Sequence, residues 1–136
     1  MSVHFTIDRA VRLVAYVVDG TATEDEAREF LDSVLTHPDF ETGFNFLGDR
    51  RGVTAVPDAN YIYAVAVEVN RHQADLAPCQ WAVIVSSDVA YGMTRMWGLL
   101  TTDSGVKIIP FRTAEVATAW LGLSPRYAPL LLVPVA

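Results

Sequence analysis

The sequence predicts an α/β domain: a five-stranded, mostly parallel sheet with four helices in the order β-β-α-β-α-β-α-β-α. Three observations carry this reading. Strand-length apolar runs alternate with segments whose apolar residues recur at three-to-four spacing, and such alternation implies parallel strands with helices packed on them. Residues 81–85 are continuously apolar, as in a strand covered on both faces. At 136 residues the chain is near the usual size of one domain with one core.

The elements follow in order. Residues 3–7 read as a short strand, Asp8-Arg9 as a turn, and 11–18 as a second strand interrupted by Arg12 and ending at Asp19-Gly20. Together they predict a hairpin. Thr23 and Glu26 have capping-box spacing, and Glu24, Asp25 and Glu26 suit the positive end of a helix dipole. Ala27, Phe30, Leu31, Val34 and Leu35 give that helix one apolar face, and it should stop before Pro38. Residues 44–47 predict a buried strand ending at Asp49, followed by a charged turn, Arg50-Arg51-Gly52.

Residues 58–75 satisfy two periods. Tyr61, Tyr63, Val65, Val67 and Val69 alternate as in a strand, while Tyr61, Val65 and Val69 also stack at helical spacing. The crossover between neighbouring parallel strands favours a helix here. Ser86-Ser87-Asp88 ends the strand at 81–85, and 89–102 predicts a helix with Met93, Met96, Trp97 and Leu100 on one face. Residues 106–111 form the last strand. Thr113 caps a helix containing Val116, Ala117, Trp120 and Leu121, with Gly122 as its stop. The domain thus spans residues 1–122. Residues 123–136 form an apolar tail in which Pro125, Pro129 and Pro134 exclude a helix. Its stretch 130–133 should pack on the domain or on a partner subunit.

Composition bounds the function. The net charge of −6 opposes binding to nucleic acid and to anionic membranes. With 51% hydrophobic and 19% charged residues, the chain has apolar surface to spare once its core is filled. The single Cys79 excludes an internal disulfide and fits a reducing cytoplasm. The N-terminus has no signal-peptide pattern, and no stretch reaches the about 18 apolar residues of a membrane span, so a soluble cytoplasmic protein is expected.

No catalytic constellation is expected, and no cofactor. His4, His37 and His72 are scattered without metal-ligand spacing. Cys79 has no neighbouring base, and no nucleophile elbow or phosphate loop occurs. One rim remains. In open α/β sheets, ligands bind beyond the carboxyl ends of the strands. That places Asp49, Arg50, Arg51, Ser87, Tyr91, Arg95 and Arg112 as a candidate partner- or anion-binding rim, with the alternative that they are ordinary turn and cap residues.

The chain resembles the uncharacterised bacterial SpoIIAA-like proteins, whose fold is akin to the STAS domain of anti-sigma-factor antagonists. The resemblance rests on Gly20, Leu47-Gly48-Asp49-Arg50, Tyr91-Gly92-Met93-Thr94-Arg95-Met96, Phe111-Arg112 and Trp120-Leu121, and covers residues 3–122. It implies a five-stranded sheet with four helices, and a kinship of fold with lipid-binding CRAL-TRIO domains. Antagonist-family members are switched at a serine in an Asp-Ser-x-Gly loop. This chain has Gly48-Asp49-Arg50-Arg51-Gly52 there, with Thr54 the nearest hydroxyl. The expected function is therefore a non-enzymatic protein-interaction or regulatory module, with a small-ligand or lipid carrier as the alternative. A protein partner and a homodimer are expected.

Overall fold

The computed structural model describes residues 2–55 and 58–124. β1 (Ser2–Asp8) and β2 (Leu13–Gly20) form the expected antiparallel hairpin, registered from Ser2↔Asp19 to Asp8↔Leu13. Arg12 belongs to its turn rather than to the second strand, because its backbone is left-handed, with φ of 54°. α1 (Glu24–Leu35) starts on Thr23, whose hydroxyl accepts from the Glu26 amide at 3.2 Å and donates to its carboxylate at 2.7 Å.

β3 (Asn45–Val53) is longer than expected. Arg50, Arg51 and Gly52 continue the strand instead of turning, because β2 runs on beside them past a bulge and pairs Asp19 with Gly52 and Gly20 with Val53. α2 (Ala59–Arg71) confirms the helical reading of the contested segment, with Asp58 accepting from the Tyr61 amide at 2.9 Å. A further four-residue helix, α3 (Gln73–Leu76), makes five helices among the described residues where four were expected. His72 leaves helical geometry at φ −103°, and one more turn is needed to seat Leu76, which is fully buried. β4 (Cys79–Ile84), α4 (Asp88–Leu100), a 3₁₀ turn (Thr102–Ser104), β5 (Val106–Phe111) and α5 (Ala114–Trp120) complete the order. Gly122, at φ 71°, closes α5 as anticipated. The tail stretch 130–133 lies outside the described residues.

The strands lie in chain order, β1-β2-β3-β4-β5, and every pair after the hairpin is parallel. A sheet that grows in one direction through right-handed crossovers receives all of its crossover helices on one face. α1, α2 and α4 accordingly bury Val34, Ala66 and Trp97 against Val14, Phe46, Trp81 and Val83. Among the described residues only α5, which follows the last strand, reaches the opposite face. There Ala114, Ala117 and Leu121 cover Leu13, Leu47, Ala82 and Ile84.

Candidate functional site

The site begins with the period of β3. Side chains alternate across a strand, so Phe46, Gly48 and Arg50 point beneath the three crossover helices while Leu47, Asp49 and Arg51 point toward α5. A β-carbon on Gly48 would stand 2.2 Å from the Tyr16 ring, so its hydrogen is what lets the ring cross β3. The Tyr16 hydroxyl then accepts from the Trp81 indole Nε1 at 2.8 Å. Trp81 stacks on Phe46 with centroids 4.1 Å apart and meets the edge of Trp97 at 5.0 Å. Phe30 of α1 leans on Tyr16 at 4.7 Å.

These rings do not fill the space under the helices. A cavity of about 80 Å³ lies among Tyr16, Phe30, Trp81, Trp97, Tyr61 and Met93. It sits toward the carboxyl ends of β2, β3 and β4, where Val18, Arg50 and Val85 line it. Thr23, Tyr61 and Ala90 bring the first turns of α1, α2 and α4 to its wall. Its walls are mostly apolar, and two of its lining residues carry buried donors without partners. The Nη2 of Arg50 is buried without a hydrogen-bond partner, and so is the Nε1 of Trp97. The Arg50 guanidinium sits 5.7 Å from the Tyr61 ring and close enough to Tyr16 to act on its phenol. Burial nevertheless dominates at Tyr16 and pushes its pKa up to about 12, so the phenol keeps its proton. Glu68 also lines the cavity, but its carboxylate faces Arg71 at 3.5 Å and His72 at 3.6 Å.

The residues expected on one rim fall into separate places. Asp49 and Arg51 pair on the α5 face through two bonds, Nε to Oδ1 at 2.9 Å and Nη2 to Oδ2 at 2.7 Å. That pairing raises the Arg51 pKa above its ordinary value. Ser87 is the cap of α4, accepting from the Ala90 amide at 3.1 Å. Arg112 pairs with Asp88 and lies over the Tyr91 ring at 4.7 Å, so these two residues do come together. Arg95 is exposed in a shallow groove between α4 and the edge strand β5. Arg50 alone of the seven lines the aromatic cavity. The residues that build the cavity, Tyr16, Phe30, Tyr61, Trp81 and Trp97, were not anticipated as a site. The signal available for them was the period of β3, which sets Arg50 on the Phe46 face.

Cys79 is buried, and burial raises its pKa to about 12, which keeps it a thiol. Among the described residues no group of three or more histidine, cysteine or acidic side chains could hold a metal ion. No helix among them is long and apolar enough to cross a membrane. What the cavity offers chemically is an apolar enclosure with hydrogen-bond donors that have no acceptor.

No family model and no curated protein matches the chain. Among solved structures it is similar to an uncharacterised protein of the DUF3478 family from Shewanella loihica PV-4, which has a SpoIIAA-like fold. The two superpose with a TM-score of 0.59 at 17% identity, over 88% of this chain and 93% of that one. The likeness is one of fold, and it bears out the SpoIIAA-like architecture expected from the sequence.

Proposed function

We propose that this SpoIIAA-like domain is a non-enzymatic binding protein that holds a small, largely apolar molecule in the cavity beneath α1, α2 and α4. One observation carries the reading: an apolar cavity is lined by Arg50 and Trp97, and each of these residues has a buried nitrogen, Nη2 and Nε1, without a hydrogen-bond partner. Buried polar groups are nearly always satisfied, and each orphan costs about 1–3 kcal/mol. An acceptor-bearing guest would remove that cost. Concave apolar enclosures with a few placed polar groups are the usual form of small-molecule sites. The buried thiol of Cys79 fits a reducing cytosol.

Native mass spectrometry of freshly purified protein tests this directly. A co-purifying small mass is expected, as is a rise in melting temperature with apolar ligands of the right size. If nothing co-purifies and no member of a broad apolar panel moves the melting temperature, the reading is wrong.

A second reading, a protein-interaction module that pairs with its own copy, is favoured by exposed apolar side chains. Tyr63 and Val67, one turn apart on α2, are 53% and 60% exposed. They flank Asn70, whose amide donates to the Leu100 carbonyl of α4 at 3.2 Å, and Leu100 is exposed too. Apolar patches of this kind mark contact surfaces, and two-fold dimers are their commonest closed form. Light scattering at micromolar concentration is expected to give a dimer mass that Val67→Asp lowers. A monomer mass removes this reading.

A further inference from the structure

The donors differ in kind, and the difference bears on what the guest is. Arg50 is a half-buried cation, and its Nη2 is buried without a partner. The Tyr61 ring, 5.7 Å from its guanidinium, offers it a ring face and no counter-charge. Glu68 is the acid among the lining residues, and it is engaged by Arg71 and His72 at the far end of α2. A cation lining an apolar cavity gains more from an anionic partner than a neutral donor gains from a neutral acceptor. Beside it stands the Tyr16 hydroxyl. It already accepts from Trp81 and retains its own proton to donate. The first turns of three helices meet at the same end of the cavity, and their dipoles favour negative charge there.

Resting on the small-molecule reading above, we infer that the guest is a compact organic acid whose carboxylate is bound at Arg50 beside the Tyr16 hydroxyl. Its apolar body lies against Phe30, Met93 and the Trp81–Trp97 pair. A carboxylate matches the planar fork of a guanidinium and carries one charge for the one arginine of the lining. Size limits the body. A void of about 80 Å³ accepts the volume of roughly six water-sized groups, which suits an aryl or short branched alkyl acid and excludes a long acyl chain in full.

The test compares acids with neutral isosteres of the same shape: benzoate with benzamide and benzyl alcohol, and 4-methylpentanoate with its amide. A straight-chain acid series of increasing length runs beside them, all read by calorimetry and melting temperature. The compact acids are expected to bind at least about tenfold tighter than their amides, the worth of one charge-assisted contact. Arg50→Met should abolish that preference, leaving acid and amide alike, while Arg50→Lys keeps part of it. If amides and alcohols bind as well as acids, the carboxylate inference is overturned and the small-molecule reading stands. If the long acids bind tightest, the compact class is wrong. If no compound in any arm binds, the small-molecule reading itself falls. The wild-type comparison decides between these outcomes even if the Arg50 variants do not fold.

Discussion

The two faces of the sheet solve the same problem in opposite ways. Toward α5, β3 presents Leu47 and Asp49, both buried, and every polar group has its match: the Asp49 carboxylate takes two bonds from Arg51 and also accepts from the Arg51 amide at 3.0 Å. Toward the crossover helices, the same strand presents Phe46 and Arg50, which lines the cavity and whose Nη2 has no partner. Neighbouring arginines on one strand thus have opposite physical meaning. Arg51 is held by structure. Arg50 is held in place with its Nη2 unpaired, and the proposed small-molecule reading rests on that difference.

Three experiments sharpen or break this contrast. The largest effect should come from adding volume to each face. Ala82 is fully buried between strands and α5, and Ala82→Leu should cost about 1–3 kcal/mol by overpacking. Ala27 lines the cavity, and Ala27→Leu should be neutral or stabilise by up to about 1 kcal/mol while blocking ligand uptake. Urea denaturation of both variants checks the pair, and equal losses would mean that the two faces are equally full.

Next come the arginine neighbours. Asp49→Ala leaves Arg51 without its acceptor. The loss should be about 1–2 kcal/mol, moderated because the Arg51 side chain is 29% exposed. Arg50→Met, by contrast, should leave the melting temperature of ligand-free protein unchanged or raise it, since it removes an orphan rather than a bond. A clear loss of stability in Arg50→Met would show that the guanidinium has a structural role after all.

The smallest effect is in alkali. The Tyr16 pKa is raised by burial from an ordinary 10.0 to about 12, so the fold favours the neutral phenol. Its contribution to stability is complete below pH 10 and is lost as pH rises through about 12. Tyr16→Phe should start about 1 kcal/mol less stable, because Trp81 Nε1 loses its acceptor, and should then decline less steeply over that window. Melting curves collected across the alkaline range, with tyrosinate absorbance alongside, would reveal an identical decline in both proteins if Tyr16 stayed accessible to water.

The fold was largely legible in the sequence, and the site much less so. Caps at Thr23, Ser87 and Thr113 work by local hydrogen bonds, and local chemistry reads directly from residue spacing. The contested segment at Tyr61–Val69 was decided by topology, since a parallel neighbour needs a crossover. Arg50-Arg51-Gly52 reads as a turn because charge usually marks solvent. Here the polar ends of β2 and β3 pair with each other, which composition cannot announce. The cavity was hidden for another reason. Tyr16, Phe30, Trp81 and Trp97 are ordinary core residues one at a time, and a void arises only from how rigid rings fail to tile. The two-residue period through Phe46, Gly48 and Arg50 was visible throughout, and it foretells a cation under the helices once those residues are known to be strand.

The order of the strands in space has a consequence for how the molecule comes into being. Each strand after the hairpin docks at the edge that its predecessor has just left open, so none must insert between two already joined. Such a sheet can be assembled vectorially from a growing chain, each strand after the hairpin pairing with the one made just before it. Every residue lining the cavity lies between Val3 and Trp97, ahead of β5 and α5. The pocket's walls are therefore all synthesised before the last edge strand.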